Sequence, residues 1–162
     1  MTRMSHTHRR QSGYSFVEVL VVTSILFILA SVAMPLVQVT MQRQREVELR
    51  RALRDMRTAI DRFKDAADAG LIPTTELGPG SEGYPEDLGT LVEGISAAND
   101  ASGRKVKFLR RIPVDPMAPG SDWGKRSYQD RQDARSWGRQ NVYDVYTTSD
   151  ATALDGTRYR DW

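Results

Sequence analysis

The sequence predicts an α+β protein, in which a long N-terminal α-helix with a transmembrane first half packs on a small C-terminal antiparallel β-sheet. Three observations predict it. Residues 16–39 are almost wholly apolar. An amphipathic stripe follows, in which Leu49, Leu53, Met56, Ile60 and Phe63 recur at spacings of 4, 3, 4 and 3. Beyond residue 125 come short segments rich in Val, Tyr and Thr, separated by Gly, Asp and Ser. A length of 162 residues is a prior for one domain. With the apolar segment set aside, about 120 residues remain, enough for one small core.

Glu18 is the one formal charge between Phe16 and Val39. A helix over that segment spans roughly 36 Å, against a hydrocarbon thickness of about 30 Å. Arg3, Arg9 and Arg10 precede it with no acidic residue among them. That asymmetry keeps the N-terminus in the cytoplasm and sends the remainder outward. A cleaved secretory signal is one reading, since "SVA" at 31–33 is a small-x-small site, although the apolar run is long for such a peptide. A simple membrane anchor is another. Neither accounts for Glu18, because a carboxylate at depth in a bilayer costs about 2.5–3.5 kcal/mol on insertion scales.

The stretch "GYSFVEVL", residues 13–20, resembles the class III signal of type IV prepilins and of type II secretion pseudopilins. The resemblance implies cleavage between Gly13 and Tyr14 by a membrane prepilin peptidase and methylation of the new N-terminus. Tyr14 becomes the first mature residue, where the family more often has Phe. Glu18 becomes the fifth, and Pro35 falls where the family often kinks its helix. The resemblance thus divides the chain into a leader (1–13), a transmembrane and polymerisation half-helix (14–41) and a periplasmic pilin-like globular domain (42–162). It also gives Glu18 a purpose. Cleavage frees an α-amino group on Tyr14, one helical turn away, and a charge in that setting needs a partner. The pair forms within one chain or between neighbours in a filament, where it would set register. A glutamate snorkelling to the interface is the plainer alternative.

The stripe predicts that the helix continues to residue 69, closed by Gly70 and Pro73. Residues 14–69 make a helix about 84 Å long, more than a domain of this size can cover. Arg and acidic residues alternate between the stripe positions, for instance Glu46 and Arg50, as on a solvated face. Pro35 removes one backbone hydrogen bond and predicts a kink.

After a Gly- and Pro-rich loop over 71–83, "YPEDLGTLVEGI" at 84–95 predicts a short helix with Leu88, Leu91, Val92 and Ile95 inward. "NDASGRK" is a turn, and "KFLRRIPVDPM" at 107–117 an extended segment whose prolines bar it from a sheet centre. Strands are expected at 125–129, at 141–148 and in the terminal "TRYRDW". Within 141–148, Val142, Val145 and Tyr146 alternate imperfectly.

The segments "YPEDL", "FLRRIPVDP", "NVYDVYTTSD" and "LDGTRYRDW" resemble those of major (G-type) pseudopilins of type II secretion. The resemblance implies the type IV pilin-like fold and a calcium ion in the last loop, for which Ser149, Asp150 and Asp155 are the candidate ligands. Calcium takes six to eight hard oxygens, so this is a thin set, and an ordinary Asp/Gly turn is the alternative. Pilins proper usually close this region with a disulfide. The chain has no cysteine, which favours a pseudopilin.

The composition excludes several other classes. Without Arg3, Arg9 and Arg10 there are 20 basic against 21 acidic residues, and the net charge falls from +2 to −1. A nucleic-acid partner therefore finds no support. Both histidines, His6 and His8, lie in the leader, and no phosphate-binding glycine motif occurs, so no enzyme and no certain cofactor are expected. Trp123, Trp137 and Trp162 read as packing anchors. The resemblance implies a structural subunit, inner-membrane-anchored with its domain in the periplasm. Its partners would be copies of itself, minor pseudopilins, the prepilin peptidase, and an inner-membrane assembly platform with its ATPase. The rival reading is a type IV pilin or minor pilin acting in adhesion or binding, or a non-polymerising membrane-anchored binding module.

Overall fold

The computed structural model describes residues 14–98 and 104–162, and within the first helix the backbone but not the side chains of 32–36. Helix α1 runs from Phe16 to Asp68. The chain divides into two compact units, one ending at Met41 and the other running from Gln42 to Trp162.

In the first unit α1 carries its apolar residues in the open. Ile25, Leu26 and Phe27 are 52%, 58% and 79% exposed. The hydroxyls in this run are satisfied within the helix. Thr23 Oγ1 donates to the Val19 carbonyl at 2.8 Å, Ser24 Oγ to Leu20 at 2.7 Å and Ser31 Oγ to Ile28 at 2.7 Å. Such back-bonding lets a polar side chain sit in an apolar helix without an external partner. Among the described residues no helix is long and apolar enough to cross a membrane. The side chains of 32–36, inside the apolar run, lie outside that description, as does the Pro35 side chain on which a kink was expected.

In the second unit α1 is the floor of the core. Leu49, Leu53, Met56, Ile60 and Phe63 are all buried, which is the predicted stripe, with Ala52 and Ala59 beside them. Each such side chain removed from water contributes about 1.5–3 kcal/mol. Phe63 meets Phe108 edge to face, with centroids 5.2 Å apart. Gly70, two residues past the end of the helix, closes it with a left-handed φ of 69°.

The loop after α1 contains a single 3₁₀ turn, Thr74–Glu76. The second helix, α2, is only Leu88–Glu93, shorter than the 84–95 expected. Gly94 stops it at a φ of 81°. A Cβ there would lie 2.7 Å from the Val106 carbonyl oxygen, so the position needs glycine. The chain turns at once into a hairpin that the sequence reading did not anticipate: β1 (Ile95–Ser96) pairs antiparallel with β2 (Lys105–Val106). The intervening 99–103, in the expected turn, lie outside the described residues. Residues 107–117 follow in no sheet, as their prolines require.

The second antiparallel pair joins β3 (Gly124–Arg126) to β4 (Asp144–Tyr146). The one small sheet of the sequence reading is thus two two-stranded sheets. Both strands are shorter than predicted: Ser127–Asp130 turns, and Val142 N–H leaves the pairing for the Pro85 carbonyl, while Tyr143 N–H still donates to the Arg126 carbonyl. The imperfect alternation of 141–148 has a structural cause. Val145 faces the core, whereas Tyr146 on the other face covers Gly124, its cross-strand partner. The Arg126 guanidinium lies 4.1 Å from the centre of the Tyr146 ring and reaches Asp144, directly opposite. Both faces of β4 are therefore covered, and period 2 fails as a guide. The terminal "TRYRDW" is not a strand. Arg158 forms one bridge with Thr152, and Tyr159–Asp161 then coils into a 3₁₀ turn. That turn buries the Tyr159 ring, which an extended course exposing alternate residues would not require.

Candidate functional site

Two places carry the sequence expectations, the start of α1 and the last loop. Gly13 lies outside the described residues, and Tyr14 precedes α1. Glu18 stands in the first turn, where an acid complements the exposed N–H groups and the helix dipole. Tyr14 is 82% exposed and Phe16 77%. Among the described residues Glu18 has no ion-pair partner, although Lys and Arg are paired elsewhere along α1. What its chain neighbours leave open is a carboxylate at the head of an uncovered apolar helix.

The last loop is built differently. Its backbone closes on itself. Ala153 N–H donates to the Thr157 carbonyl, Gly156 N–H to Ala153 and Tyr159 N–H to Ala151. Three α1 side chains, one turn apart, then hold it. Gln42 Nε2 donates to the Thr152 carbonyl and to the Tyr159 hydroxyl, at 3.3 and 2.9 Å. Glu46 Oε1 accepts from Leu154 N–H and Tyr159 O–H, both at 2.9 Å. Arg50 reaches Asp155 at 3.5 Å and lies over the Trp162 ring at 4.1 Å. Burial raises the Tyr159 hydroxyl above the ordinary tyrosine value, and the Glu46 carboxylate beside it pushes the same way.

The expected calcium ligands, Ser149, Asp150 and Asp155, lie in this loop with bonds of their own. Asp150 Oδ1 accepts from Arg160 at 2.6 Å. Asp155 accepts from the Thr157 hydroxyl at 2.6 Å and from its N–H at 2.9 Å, bonds that hold it below the ordinary carboxylate range, with Arg50 adding to the effect. Ser149 Oγ accepts from Ala151 N–H. Ser149, Asp150 and Asp155 thus each have a partner within the protein. Both carboxylates are turned to guanidinium groups, and among the described residues no group of three His, Cys, Asp or Glu could hold a metal.

Arg57 was read from sequence as part of a solvated face, and it is a hub instead. Its Nε donates to Asp144 Oδ1 at 2.8 Å, and its Nη2 donates to the carbonyls of Val145 and Trp162 at 3.1 and 2.8 Å. Asp144 also takes Arg126, at 3.2 Å. The sequence signal was only positional: Arg57 follows Met56 and so borders the apolar stripe.

The model for the prokaryotic N-terminal methylation motif matches residues 8–34. The chain is 35% identical over 112 residues to the type II secretion system core protein G of Aeromonas hydrophila, an alignment covering 67% of this chain and 68% of the relative. No solved structure matches the chain.

Proposed function

Because the chain belongs to the family of type II secretion system core protein G, the major pseudopilins, we propose that it is the polymerising subunit of a periplasmic pseudopilus that drives protein export. In this reading residues 1–13 are a leader removed by the prepilin peptidase on the cytoplasmic side, and Tyr14 is methylated. Residues 14–41 anchor the subunit in the inner membrane and later pack against the same segment of sibling subunits. Residues 42–162 form the domain on the periplasmic side. Minor pseudopilins and an inner-membrane assembly platform complete the fibre. An ATPase of that platform supplies the energy, since no nucleotide-binding motif is present in this sequence.

Glu18 carries the proposal. Among the described residues it is an acid without an ion-pair partner, four residues after the new N-terminus, on a helix whose first apolar stretch is open. In hydrocarbon neither the carboxylate nor the amine is tolerated alone, and together they neutralise each other. A pair made between subunits also fixes the axial step of the fibre, the register-setting use for which buried ion pairs are best attested.

Glu18→Ala tests this. The variant is expected to reach the membrane at the native level and to give no pseudopilus in sheared or cross-linked fractions. Assembly at the native level in the variant would overturn the role given to Glu18, and a native chain that gives no pseudopilus would instead identify an anchored binding module.

A further inference from the structure

The family resemblance places a divalent cation in the last loop, yet the oxygens that would hold it are otherwise engaged. We propose that this chain closes its C-terminal loop with guanidinium–carboxylate pairs and α1 side chains, and folds its second unit without calcium.

A calcium site collects six to eight oxygens with the negative charge of carboxylates. Here Asp150 is turned to Arg160 and Asp155 to Arg50 and Thr157. The carbonyls of 151, 152, 153 and 157, the natural supplementary ligands, accept from Tyr159 N–H, Gln42 Nε2, Gly156 N–H and Ala153 N–H. Glu46, a third carboxylate facing the loop, already accepts two bonds through one oxygen. The local charge opposes a cation as well. The Arg160 side chain is only 18% exposed and its Nη2 lies 2.6 Å from Asp150 Oδ1, so its guanidinium stands beside that carboxylate. A calcium ion drawn to Asp150 would meet that positive charge at close range. The ordering that a cation achieves by gathering oxygens is achieved here by donors, Arg160 near the loop and Gln42 and Arg50 on α1, and by the Glu46 carboxylate between them, which accepts from Leu154 N–H and the Tyr159 hydroxyl.

The full-length protein in detergent is melted by near-UV circular dichroism, in EGTA and in a titration of CaCl2 up to about 5 mM. A site of extracellular-module affinity, with Kd about 10⁻⁴–10⁻³ M, would raise Tm by several degrees over that range. The proposal predicts coincident melts, and predicts that Arg160→Gln lowers Tm by about 2–6 °C whether or not calcium is present. In the double variant Asp150→Asn/Arg160→Gln the loss should be no greater than in Arg160→Gln alone. A saturable rise with calcium that magnesium does not reproduce overturns the proposal, as does an Arg160→Gln melt identical to the native one. If the variant does not fold, the calcium titration of the native chain decides. A calcium-stabilised domain would leave the role of Glu18 in assembly untouched, so the two readings fail separately.

Discussion

Helix α1 contains two apolar stretches with opposite fates. From Val17 to Leu29 the Val, Leu, Ile and Phe side chains are about half exposed or more, whereas Leu49, Met56 and Ile60 are at 0%. Both stretches are helical and both are rich in Leu and Ile, so helix propensity does not separate them. What separates them is the layout of apolar residues around the helix. In 49–63 they fall on one stripe, and the chain supplies Leu91, Ile95, Val145 and Tyr159 to cover it. In 17–29 they surround the helix, and no described residue covers them. A helix apolar all round needs burial, in a membrane or against other protein. One stretch thus encodes a fold, and the other encodes a need for partners.

Substitutions can break or sharpen that contrast. Phe63→Ala, which empties the place against Phe108, should cost the second unit about 3–5 kcal/mol in denaturant unfolding. A loss below 1 kcal/mol would mean that the stripe is not the core. Gly94→Ala forces a left-handed φ on a side chain pressed against Val106, and should cost about 1–3 kcal/mol by the same assay. Tyr159→Phe keeps the ring but removes the hydroxyl shared by Gln42 and Glu46, for a loss of about 1–2 kcal/mol.

Acid should act on the second unit. Asp87 is raised by partial burial, but Lys125 and the N–H groups of Leu88 and Gly89 outweigh that and leave it below the ordinary value. The N–H groups of Ser127 and Gly138 likewise lower Asp130. A depressed carboxylate stabilises the fold above its unfolded value, about 3.9, and that stability is lost as pH falls through the folded value. The denaturation midpoint should therefore be flat from pH 7 to about 5 and fall below about 4. A rise on acidification would contradict these pairings. At the small end, Leu26→Ala should leave the melting of the second unit within about 0.5 kcal/mol of native, because no described residue packs on it.

The parts of the fold that could be read in advance are those in which a single periodicity is tied to a single buried face. The stripe from Leu49 to Phe63 is such a case, and so is Gly70 as its stop. The hairpin of Ile95–Ser96 with Lys105–Val106 was not legible: two-residue strands leave no period, and Ile95 continued the helical spacing of Leu88 and Leu91. Only the left-handed glycine at 94 marked the break. "TRYRDW" looked like a strand, but long-range contacts, Tyr159 with Gln42 and Glu46 and the Trp162 carbonyl with Arg57, set its course. Arg57, Arg160 and Arg50 were indistinguishable from surface arginines, since a guanidinium's partners lie 87, 10 and 105 residues away in Asp144, Asp150 and Asp155. The N-terminal signal was legible because it is local: a glycine, an aromatic residue and an acid at fixed distances.

That signal also offers the most direct test. The mass of the N-terminal peptide of protein recovered from cells with an active prepilin peptidase should correspond to a chain beginning at Tyr14 and carrying one methyl group. A chain still beginning at Met1, or one beginning at Met34 as after an ordinary secretory signal, would contradict the account.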